Sequence, residues 1–168
     1  ARVTGTCPLG LFFRGVNPDG SVVCEAYLNP NAISTIGPGT GTTSIDIGTD
    51  GLPVVTFQDV SATLTVAKCG NVTCSAATIV TVDPAPFVGG GASIAIGADG
   101  LPVISYDDST AFALRVAKCG NAACTAGNVI TTVDDPTNFV GGNTSIAIGS
   151  DGLPVVAYQD ATAYALKV

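Results

Sequence analysis

The apolar and polar positions of this chain fall into one pattern written three times. SIDIGTDGLPVVTFQD fills residues 44–59, SIAIGADGLPVISYDD residues 93–108 and SIAIGSDGLPVVAYQD residues 145–160. In the middle copy Ser93–Gly97 is short and β-branched, and Ala98-Asp99-Gly100 reads as a turn. Pro102–Tyr106 follows, its proline at a strand start, where a missing N–H is tolerated. Asp107–Thr110 turns the chain again. Phe112–Cys119 then alternates, which predicts Phe112, Leu114 and Val116 on one face and Arg115 on the other. A tight Cys119–Cys124 loop leads to a last strand, Asn128–Val133, and no stretch has a helical period.

Asp50-Gly51, Asp99-Gly100 and Asp151-Gly152 stand between two strands, where left-handed dihedrals favour Asp-Gly. Calcium would need more oxygen ligands than such a turn offers. Ser44, Ser93 and Ser145 are spaced 49 and 52 residues apart, a period typical of solenoids and propellers. Four-stranded meanders at this period predict an all-β chain of β-propeller-type blades, with repeats near 44–92, 93–144 and 145–168. A parallel β-helix has shorter coils and lacks these hairpin turns. The third copy holds three strands, Ser145–Ile148, Pro154–Tyr158 and Tyr164–Val168. Asn31–Ile36 (NAISTI) reads like Asn128–Val133 (NVITTV) and supplies an orphan fourth strand. The repeat domain is therefore expected to span 31–168, with one blade split between its ends. Closed propellers have about 4–8 blades, so three repeats leave three arrangements open. The chain is a piece of a longer array, several chains form a ring, or residues 31–36 complete a neighbour's open blade head to tail.

Residues 1–30 do not follow the repeat. Leu9–Val16 and Val22–Cys24 flank the turn Asn17–Gly20, a small β-hairpin module that Cys7 and Cys24 would tie. Its pattern is carried by Arg2, Val3, Gly5, Cys7, Pro8, Gly10, Arg14, Val16, Asn17, Asp19, Gly20, Val22, Cys24 and Glu25. It resembles short cysteine-framed modules of secreted bacterial proteins of mosaic build, fibre-like and adhesin-like ones among them. The repeat phrase S-I-A-I-G-x-D-G-x-P-V-I-S-Y is similar to bacterial extracellular propeller repeats. These resemblances imply a location and a fold, and no activity.

Composition narrows the partners. Charged residues are 11% of the chain against about 25% in ordinary domains, and 13 acids face 6 bases for a net charge of −7. That excludes nucleic acid, which is held by clustered Lys and Arg, and disfavours anionic membrane surfaces. No apolar run approaches the roughly 20 residues of a membrane span. No basic segment precedes an apolar one, so any signal peptide is expected to have been removed. A mean hydropathy of +0.49 fits a surface covered by neighbours or sugars, or a bias toward small Ala and Val. Six cysteines at repeated spacing, in a chain without His, predict three disulfides: Cys7–Cys24, Cys69–Cys74 and Cys119–Cys124. Zinc sites favour C-x2-C spacing or add His. The expected location is extracellular or at the cell surface.

Little chemistry survives. Without His there is no Ser-His-Asp or Cys-His machinery. The three arginines, Arg2, Arg14 and Arg115, are too few and too scattered for a sialidase. Asp107, Asp108, Asp134 and Asp135 could pair as glycosidase carboxylates. Asp108, however, recurs as Asp59 and Asp160, so the repeat sets its place. The expectation is therefore no enzyme, no catalytic residue, no cofactor and no metal. A lectin-like reading would use Tyr106-Asp107 and Tyr158-Gln159 against surface glycans; otherwise those rings pack between blades. Asn71-Val-Thr73 and Asn143-Thr-Ser145 are glycosylation sequons. The leading expectation is an extracellular structural or adhesive protein that binds copies of itself, as a filament or closed multimer. Asn31, Ala32, Ile33, Ser34, Thr35 and Ile36 would complete the edge left by Tyr164, Ala165, Leu166, Lys167 and Val168.

Overall fold

The computed structural model describes residues 3, 5–7, 11–26, 33–135 and 139–168. It divides into two compact units, Ala1–Ile33 and Ser34–Val168. All helix and strand structure among the described residues is β.

The first unit is a hairpin of β1 (Leu11–Val16) and β2 (Val22–Ala26). Its register pairs Val16 with Val22 and Phe13 with Cys24, with a bulge between Phe13 and Gly15. Asp19 caps the turn by accepting the Ser21 N–H at 2.9 Å and the Ser21 hydroxyl at 2.7 Å. These bonds hold its carboxyl below the usual range. The Cys7–Cys24 disulfide ties the hairpin, as its spacing predicted.

The second unit is three antiparallel meanders in chain order. The first sheet runs β3 (Gly39–Ile47), β4 (Pro53–Asp59), β5 (Leu64–Cys69) and β6 (Ala77–Asp83). The second runs β7 (Val88–Ile96), β8 (Pro102–Asp108), β9 (Ala113–Lys118) and β10 (Val129–Asp134). The third has three strands, β11 (Val140–Ile148), β12 (Pro154–Asp160) and β13 (Ala165–Lys167). Each first hairpin closes as Asp-Gly dictates. Gly51, Gly100 and Gly152 take φ of 75°, 79° and 81°, and the aspartate before each accepts the N–H of the leucine after it.

Three boundaries differ from the pattern. The first strands begin at Gly39, Val88 and Val140, upstream of the repeated phrase, because register shifts absorb their glycine-rich starts. Phe112 is not on a strand face: at φ 58° it is the last turn residue before β9. Tyr164, at φ 53°, is likewise in a turn and Val168 lies past the strand, so Tyr164–Val168 shortens to Ala165–Lys167. Of the expected strand Asn31–Ile36, only the last four residues are described. Asn31 and Ala32 lie outside the described residues, and Ile33–Ile36 joins no sheet. Ser34 instead donates its hydroxyl to the Thr73 carbonyl at 2.7 Å.

The pleat gives each sheet two faces. Val54, Leu64, Val66 and Val82 of the first sheet pack with Ile94, Ile104 and Tyr106 of the second. Across the second sheet, Ala95, Val103 and Leu114 pack with Ile146, Val140 and Tyr158 of the third. Every residue of β8 is buried as a result. Gly89 and Gly141, at φ 81° and 87°, make the close approach: a Cβ on either would sit 2.9 Å from the Cα of Leu64 or Leu114. Backbone bonds fix the same step twice, Val88 N–H to Ala62 O at 3.1 Å and Val140 N–H to Phe112 O at 3.2 Å. Side chains repeat it again, because the Ile94 and Ile146 N–H groups donate to Ser44 Oγ and Ser93 Oγ, both at 3.2 Å.

Candidate functional site

Tyr106, Asp108, Asp134 and Tyr158, singled out in the sequence, belong to latches between sheets. Tyr106 is fully buried, and its hydroxyl donates to Asp83, at the end of β6, at 2.9 Å. Arg115 on β9 bridges Asp83 at 3.2 Å and Asp108 at 2.6 Å. Burial, and then the Asp83 charge, push the Tyr106 hydroxyl far above its ordinary range. One sheet on, Tyr158 donates to Asp134 at 2.7 Å, and Lys167 bridges Asp134 and Asp160, each at 3.1 Å. The Tyr158 bond, with Lys167 behind it, holds the Asp134 carboxyl low. The sugar-platform reading of Tyr106 and Tyr158 is therefore corrected, since neither ring offers a free face. Sequence spacing missed these latches because each carboxylate sits on the preceding sheet.

Asp107 is buried as well. Its Oδ2 accepts the Ser109 hydroxyl at 2.6 Å, while its Oδ1 has no hydrogen-bond partner. Burial raises its pKa. Gln159, in the matching place on β12, is exposed and accepts from Asn143 Nδ2 at 3.2 Å. The sequon residue Asn71 holds its own loop, donating to Ser75 Oγ and accepting from Thr73 Oγ1 and Ser75 N–H. Asn121 does the same in the matching loop. Both loops are closed by their disulfides, Cys69–Cys74 and Cys119–Cys124. Three disulfides suit an oxidising, extracellular environment. Among the described residues no helix is long and apolar enough to cross a membrane, and no group of three or more His, Cys, Asp or Glu is placed to hold a metal.

What remains open is at the two outer sheets. Among the described residues the outer edge of β13 pairs with no strand, whereas β5 and β9 each have a fourth strand beside them. On the third sheet Val155, Leu166 and Val168 are 49, 78 and 83% exposed, while Val54, Leu64 and Val66 in the same repeat positions are at most 1% exposed. On the first sheet Ile45, Ile47 and Ile79 are exposed on the face away from the second sheet. Beside them lies a groove of about 340 Å³, lined among others by Ser34, Ile36, Gly39, Thr43, Val55 and Phe57. These surfaces can bury apolar area and complete a sheet. No protein-family model and no curated protein matches the chain.

Proposed function

We propose that this chain is a structural or adhesive component of an extracellular surface, assembling with copies of itself through propeller-type repeats. The observation that carries the reading is the edge of β13, unpaired among the described residues, in a sheet of three strands beside two sheets of four. An unpaired strand edge is a ready template for another strand. Residues 31–36 are the candidate strand: they share the N-x-I-x-T pattern of 128–132, and Ile33–Ile36 is uncommitted to any sheet of its own chain. Low charge and exposed apolar faces support the same reading, because a lone copy would leave them in water.

Light scattering and electron microscopy on one sample, over a range of concentrations, test it. Filaments or discrete multimers are expected, and deletion of residues 1–36 is expected to abolish them. A monomer at every concentration overturns the reading. Particles unchanged by the deletion overturn strand donation.

A further inference from the structure

We infer that the open face of the third sheet docks on the open face of the first sheet of a second copy, in the same register that stacks the sheets within the chain. This deepens the self-assembly reading and rests on it.

The internal steps define the contact. A face carrying Val54, Leu64 and Val66, or Val103, Leu114 and Val116, always meets one carrying Ile94, Ile104 and Tyr106, or Ile146, Val156 and Tyr158. Val155, Leu166 and Val168 are the third edition of the first kind, and they are uncovered. Ile45, Val55 and Phe57 are the third edition of the second kind, with Ile45 exposed and Val55 partly so. The pairing never joins like faces, so the contact is heterologous, between different patches of two copies. The repeated serine bond has its third edition too: Ser145, exposed, stands where Ser44 and Ser93 accept from Ile94 and Ile146, and Ile45 is the matching donor.

The latch residues agree. A carboxylate at the end of a fourth strand, Asp83 or Asp134, meets Tyr106 with Arg115, or Tyr158 with Lys167. The first sheet has Phe57 and Thr65 in those places, with neither ring hydroxyl nor cation. Residues 26–45, which include 31–36, contain no acid. All three latch members are thus absent together, as expected if 31–36 is the fourth strand leading into this first sheet. One element loosens the contact. Thr40 replaces the glycine that lets Leu64 and Leu114 approach in the internal steps, so the docking between copies is weaker than the stacking within one.

Cysteine trapping on the full chain tests the register. Ser145→Cys and Ile45→Cys are made as separate variants, and all native cysteines are already paired. Mixing the two under mild oxidation is expected to give a disulfide dimer of one of each, at least tenfold above either variant alone. Leu166→Asp, at a side chain 78% exposed in the lone chain, is expected to weaken association at least tenfold with an unchanged thermal midpoint. Ser145→Cys dimerising with itself would mean like faces meet and overturns the inference. Assembly that is insensitive to Leu166→Asp and gives no mixed dimer overturns the inference alone and leaves self-assembly standing. A wild-type chain that stays monomeric overturns both.

Discussion

Asp107 shows how one carboxylate can be out of step with its repeat. Gln58 holds the same place in the first sheet and donates its amide to the Val88 carbonyl at 2.8 Å. Asp107 cannot donate while ionised, and its Oδ1 is buried without a partner. Its pKa is raised by burial, so the ionised form is disfavoured in the fold. A carboxyl raised on folding contributes stability below its unfolded pKa and loses it as pH rises through its folded pKa. Asp107→Asn should therefore stabilise the protein by about 1 kcal/mol near neutrality, the usual size of a restored buried hydrogen bond. The advantage should vanish in acid, where wild-type Asp107 is protonated. Urea unfolding at about pH 7 and about pH 3 checks both limits; an equal effect at the two would mean that the side-chain charge is irrelevant. The acid was visible in the sequence, as a glycan contact or as part of a turn, but its burial was not, because alternation marks a face without saying what packs on it.

At the scale of elements, the sequence was most legible where local chemistry decides. Asp-Gly turns, proline at strand starts and the two C-x4-C loops all stand where the pattern put them. It was least legible where long-range packing decides. Phe112 and Tyr164 extend the alternation of the strands after them, yet both sit at positive φ, in the turn that precedes the strand. The first strands were expected to start at Ser93 and Ser145 and take in VGGG and VGGN as well, because glycine there admits a neighbouring backbone rather than breaking the chain. Gly141 makes the point testable. At φ 87°, with Leu114 Cα 2.9 Å from any added Cβ, Gly141→Ala meets both backbone strain and a main-chain obstacle. A loss of about 2 kcal/mol is expected from the left-handed conformation and the shifted sheet together. Chemical denaturation measures it. A loss under about 0.5 kcal/mol, the scatter of ordinary surface changes, would show that the third sheet does not need this approach.

The whole molecule has a gradient of burial that follows its order of sheets. The second sheet is covered on both faces, the first and third on one each. Local opening free energies track such burial, so amide exchange should be slowest in β8, where Ile104, Ser105 and Tyr106 are fully buried. It should be fastest in β12 and β13, whose open face holds Val155 and Leu166. In a chain that only folds, this gradient is fixed and independent of concentration. In a chain that assembles, mass action ties the third sheet's protection to the concentration of partners. Hydrogen exchange at two concentrations, one below and one above the onset of association, separates these cases. Protection of Val155–Tyr158 should rise with concentration, while that of Val103–Tyr106 should stay level in both samples. A rise confined to the third sheet and to Ile45–Ile47 of the first would place the contact on the two faces that the repeat leaves bare. An even rise across all three sheets would mean that association stabilises the fold globally, and a flat response everywhere would mean that these faces stay in water.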